Sequence, residues 1–191
     1  MDLTVLHLLS NSIVINLVTK SVLDEGNDRY TCATTITRND GSFLFLYLLQ
    51  TSAAVELPAI VLEAQKDVGT TSMKRSIEYC LQVSEKYSYE VYFILLCTDQ
   101  ISRSVKERLL ANLDNLYRQQ LHSVYWAKTC QFILKATINS DNEDAEQNLN
   151  LLAALTLYIA SNNEERSKLK DVADSTIQLL STMFEPVGSE I

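Results

Sequence analysis

The chain has 191 residues, 47% of them hydrophobic and 21% charged, with a formal net charge of −8. That size and balance predict one folded domain, with or without a helical appendage, and exclude a disordered polymer. The scarcity of glycine (4) and proline (2) argues against a many-hairpin β architecture, and the acidic balance counts against unaided binding to nucleic acid, which needs clustered Lys and Arg. A metal site or a small basic patch can still coexist with an acidic remainder. Cys32, Cys80, Cys97 and Cys130 show no metal-ligand spacing, which predicts buried free thiols in a reducing compartment. No segment reaches the roughly 18 to 20 apolar residues that span a bilayer. Residues 1 to 18 are apolar, but Asp2 and His7 stand where a signal peptide has its basic region. An intracellular protein, nuclear or cytoplasmic and not membrane-bound, is expected.

In chain order, Leu3 to Leu23 carries closely spaced apolar residues and predicts one buried helix, with Gly26 as its stop. Tyr30 to Thr37 is Thr-rich and predicts a strand. Asn39-Asp40-Gly41 predicts a tight turn, because these residues tolerate positive φ. Ser42 to Gln50 reads as a second strand, apolar on both faces. Thr51 to Glu56 is a short loop, and Leu57 to Gln65 a third strand completing a meander. Gly69 to Tyr87 predicts a helix capped by Thr70, Thr71 or Ser72, with Met73, Ile77, Cys80, Leu81 and Val83 inward. Tyr89 to Thr98 predicts a fourth strand, parallel to the third because a helix joins them.

Beyond Asp99 helices are expected at Ser104 to Tyr117, Leu121 to Ala136, Glu146 to Ala160 and Glu164 to Met183, with an acidic linker over Ser140 to Asp144. Tyr117, Tyr125, Trp126 and Phe132 read as packing residues at helical spacing, with a base-stacking platform as the alternative. The fold class is α/β: helix, three-strand meander, helix and strand over residues 1–105, then a helical extension over 106–191.

The stretch Leu57 to Lys66 is the one most suggestive of chemistry. Strand alternation puts Val61, Glu63 and Gln65 on one face, and Ile60, Leu62 and Ala64 on the other. A Glu and a Gln at the end of an apolar strand carry a desolvation cost that burial alone would not favour. Arg75 and Tyr79, i and i+4 on the next helix, are spaced to reach a phosphate.

Leu57-Pro58, then Ile60-Val61-Leu62-Glu63-Ala64-Gln65, the helix with Met73, Arg75, Ile77 and Tyr79, and the strand Phe93 to Thr98 together resemble the PD-(D/E)XK nuclease-like superfamily. The likeness is to the transposon-related and fungal branch with Glu-x-Gln, and it covers residues 10 to 105. It implies a restriction-endonuclease-like core and Mg²⁺- or Mn²⁺-dependent hydrolysis of DNA phosphodiester bonds. The metal would be held by Asp40 and Glu63 through hard oxygen ligands. Gln65 would orient the nucleophilic water, with Lys66 adjacent, and Ser42, Arg75 and Tyr79 would face the substrate. No acidic residue lies between Ser42 and Gln50, where the family has its strand Asp, and Asp24 or Glu25 could supply an additional acid. The alternative is an inactive nuclease-like fold serving as a nucleic-acid-binding or protein-assembly module, with DNA, a protein or a second copy of the chain as partner.

Overall fold

The computed structural model describes residues 3–23, 29–50, 57–111, 117–138, 150–169 and 174–183. Along them run α1 (Leu3–Ser10), α2 (Ser12–Leu23), β1 (Tyr30–Thr37), β2 (Phe43–Leu49), β3 (Ala59–Val68), α3 (Thr70–Tyr87) and β4 (Val91–Ile101). Then follow α4 (Arg103–Lys106), β5 (Leu110–Ala111), β6 (Arg118–Gln120), β7 (Thr129–Leu134), α5 (Lys135–Ile138), α6 (Leu151–Ala160), α7 (Asn163–Leu169) and α8 (Ser175–Met183). The expected Gly26 stop, the loop over Thr51 to Glu56, the acidic linker, and Asp24 and Glu25 lie outside the described residues.

The strands form one mixed sheet in the order β1-β2-β3-β4-β7-β6-β5. β1, β2 and β3 are the expected antiparallel meander, and β3 pairs parallel with β4 through the α3 crossover. The chain is thus mixed α/β, and α6, α7 and α8 fall in the stretches expected to be helical, Glu146 to Ala160 and Glu164 to Met183.

Three helix expectations are corrected. Leu3 to Leu23 is two helices bent by 64°, because the Asn11 side chain accepts the Ile13 N–H at 2.9 Å and starts a second helix. Ser104 to Tyr117 gives one helical turn, α4, and then β5, which pairs with β6. Leu121 to Ala136 holds β7, which lies parallel to β4 inside the sheet. A strand buried on both faces reads as an unbroken apolar run, which periodicity alone cannot tell from a buried helix.

Each face of the sheet carries its own core. On one face Phe43, Phe45, Ile60, Leu62, Ile94 and Ile133 pack against α1, α2, α6 and α8. On the other, Leu44, Leu46, Val61, Phe93, Leu95 and Phe132 pack against Met73, Cys80 and Val83 of α3. Leu81, expected inside, is 46% exposed, and the inner stripe of α3 takes Ser72 and Ser76 instead. Each buried Leu, Ile or Phe contributes roughly 1.5–3 kcal/mol. Buried hydroxyls find acceptors: Tyr47 donates to the Leu9 carbonyl at 2.6 Å and Tyr30 to that of Pro58 at 2.8 Å. Among the described residues no single helix is long and apolar enough to cross a membrane. Cys80, Cys97 and Cys130 are buried free thiols, while Cys32 is partly exposed.

Candidate functional site

The site begins at the β1–β2 hairpin. Gly41 has φ 77°, a conformation that favours glycine, and its N–H donates to the Arg38 carbonyl at 2.9 Å. The Asp40 Oδ1 accepts the Ser42 N–H at 3.1 Å and the Ser42 hydroxyl at 2.7 Å, which locks the turn. Its Oδ2 pairs with Arg75 of α3. Burial alone would raise the Asp40 carboxyl. The bonds from Ser42 and Arg75, with the Arg75 charge, outweigh it and hold the pKa at about 2.

Glu63 lies on β3, on the α3 side of the sheet, with 0% of its surface exposed. Strand pairing sets Leu44 beside it on β2 and Leu95 beside it on β4, both fully buried. Its Oε1 accepts from Arg38 Nη1 and its Oε2 from the Ser76 hydroxyl, each at 2.5 Å. Burial pushes the Glu63 carboxyl above the ordinary value. The Ser76 bond and the Arg38 and Arg75 charges oppose that shift, and the neighbouring Asp40 charge adds to it.

Gln65 follows on the same face and is only 4% exposed. Its Nε2 donates to the Asp67 carbonyl at 2.6 Å, and its buried Oε1 has no hydrogen-bond partner among the described residues. The β3–β4 ladder is irregular between Gln65 and Asp67, a distortion that recurs beside binding sites. Here a cleft of about 590 Å³ opens at the C-terminal ends of β3 and β4, lined by Asp40, Gln65, Arg75, Gln100 and the first turn of α3. Gly69, the residue before that helix, brings no side chain to the cap, and its own N–H donates to the Ser72 hydroxyl at 3.0 Å. The ends of parallel strands meeting a helix N-terminus are a recurrent ligand position in α/β folds.

Asp40, Glu63, Gln65 and Arg75 therefore gather at one end of the sheet, with Ser42 buried behind Asp40. Tyr79 is half-buried one turn beyond Arg75, packed against the α3-side core and within electrostatic reach of Arg38. Lys66 is apart from them: strand alternation turns it outward, where its Nζ lies 3.6 Å from Asp99 Oδ2 and both are exposed.

The donor set does not fit the divalent ion implied by the resemblance. Both Glu63 oxygens and both Asp40 oxygens already accept hydrogen bonds. Two guanidinium groups stand beside the carboxylates and repel a second cation. Strand pairing puts Leu44, not a carboxylate, across from Glu63.

Sequence reasoning missed Arg38 and Ser76. Arg38 directly precedes the Asn-Asp-Gly turn, so its reach to Glu63 depends on how the hairpin folds over. Ser76 stands at 3- and 4-residue spacing from Met73, Ser72 and Cys80, so a full helical face count would have put it inward. Comparison of this chain with protein-family models, with curated proteins and with solved structures finds no match.

Proposed function

We propose that this chain has a restriction-endonuclease-like core kept for binding rather than for hydrolysis, a nuclease-like module whose carboxylate centre is closed by ion pairs. The element order supports the core: α2, the β1–β2–β3 meander, α3 and the parallel β4. One observation carries the loss of chemistry. Both oxygens of Glu63, the residue that should bind metal and one with no exposed surface, are held by Arg38 and Ser76. A water-activating metal needs carboxylate oxygens it can reach, and each Glu63 oxygen already faces a donor of the same chain on a residue with no exposed surface.

The test is calorimetric titration of the purified protein with Mn²⁺, alongside plasmid and single-stranded DNA incubated with Mg²⁺ or Mn²⁺. No specific Mn²⁺ binding and no cleavage are expected. Metal-dependent cleavage that disappears in Glu63→Ala would overturn the proposal and establish the nuclease.

A further inference from the structure

A second cavity, of about 530 Å³, lies on the other flank of the first turns of α3. Its apolar lining comes from Met73 and Ile77 of α3 and from Leu121 and Trp126, ahead of β7. Phe93, fully buried in β4, meets the Trp126 ring edge-on at 5.7 Å and fixes one side of it. Lys74, Arg108 and His122 join this lining, and none of their three side chains makes an ion pair or hydrogen bond with another described residue. Among the described residues no carboxylate lines the cavity. In a chain of net charge −8, three unpaired basic groups around one aromatic-floored pocket are a local inversion of charge. The Thr70 and Ser104 side chains line both this cavity and the cleft above the α3 N-terminus, so the two spaces adjoin.

We propose that this cavity binds a nucleoside 5′-phosphate group, free or at the end of a nucleic-acid strand, with its base against Trp126 and its phosphate among Lys74, Arg108 and His122. Each part of the lining asks for one part of that ligand. Trp126 with Ile77 and Leu121 provides an apolar bed for a flat ring, and base-on-aromatic contact tolerates any base. Arg108 supplies a planar donor fork and Lys74 a point charge, the pair of donors that suits a multi-oxygen dianion. A fatty acid would use one cation and a wholly apolar channel. Here Ser104 and Thr70 in the lining add hydroxyls, the kind of donor and acceptor a sugar uses. The volume is ordinary for a small-ligand pocket, on the order of 300–1,000 Å³. Because the acidic remainder of the chain repels anions at a distance, the contacts within the pocket must carry the affinity. The proposal does not rest on the nuclease-like core.

Trp126 is the single tryptophan of the chain and reports directly. The protein is titrated in EDTA with AMP, a 5′-phosphorylated single-stranded tetranucleotide, adenosine and inorganic phosphate, reading fluorescence and confirming by calorimetry. EDTA keeps the result separate from any metal-dependent cleavage. Saturable binding of AMP or of the tetranucleotide is expected, whichever is tighter naming the source. The exposed pair Lys74→Ala/Arg108→Ala should weaken it about tenfold or more, and Trp126→Leu, read calorimetrically, should weaken it too, with far-UV CD unchanged. The proposal is overturned if neither ligand binds, if adenosine or phosphate alone binds as tightly, or if the basic pair can be removed without effect.

Discussion

A carboxylate with no exposed surface stays in a core only if its oxygens find donors, and Glu63 has two. Arg38, with 13% of its side chain exposed, brings the opposite charge, and Ser76 brings a hydroxyl from the facing helix. Removing one member of a buried pair strands the other, which typically costs about 3–5 kcal/mol, whereas replacing both by apolar groups is often close to neutral. Glu63→Ala is therefore expected to lower unfolding stability by about 3 kcal/mol, and Arg38→Met/Glu63→Leu to recover most of that loss. Urea unfolding of the two variants and the parent checks both figures. A double variant no better than the single one would mean that the pair itself, and not the stranded charge, matters. Of this site, the facing of Glu63 and Gln65 was legible, since alternation along a strand needs only the strand. Arg38 was not, because its partner lies 25 residues on and is reached only after the hairpin has folded across β3.

At the scale of elements, the β1–β2 turn is tied to α3 through Asp40 and Arg75. The Asp40 pKa is lowered from 3.8 to about 2, so its contribution to stability is present above pH 3.8 and lost as pH falls through about 2. Glu63 has the opposite sign. Its raised pKa gives stability that is full below its ordinary value of 4.5 and lost as pH rises through the folded value. Asp40→Asn is thus expected to lower stability at pH 7, modestly because the pair is partly exposed, and to converge on the parent as pH falls toward 2, which flattens the acid limb. Thermal unfolding across pH 2 to 7 reads this, and an unchanged acid limb would remove Asp40 from the account. Local chemistry made this hairpin readable: Asn-Asp-Gly demands its turn wherever it lies. β7 had no such signature. Thr129 to Leu134 is a strand because it fits between β4 and β6, a pairing made by residues far from it in sequence.

For the whole molecule, the position of β7 has an energetic meaning. It carries Phe132 into the α3-side core and Ile133 into the opposite one, so both hydrophobic layers include residues from the first and the second half of the chain. Shared cores make for one cooperative unit. Trp126, just before β7, and far-UV CD, which averages over all elements, are expected to report a single coincident urea transition. A fluorescence midpoint displaced from the CD midpoint would show that residues beyond 106 unfold as a separate body.

The two rims of the sheet bear on how anything else can approach it. β1 ends one side with threonines at four of its eight positions and an interrupted register between Cys32 and Thr34, and β5 ends the other with two residues. An irregular, polar rim and one too short to template a ladder both discourage strand addition, the usual route by which open sheets recruit another chain or aggregate. Backbone pairing is therefore a poor way onto this protein. Recognition is left to side chains in its grooves, where identity rather than mere extended shape decides what stays.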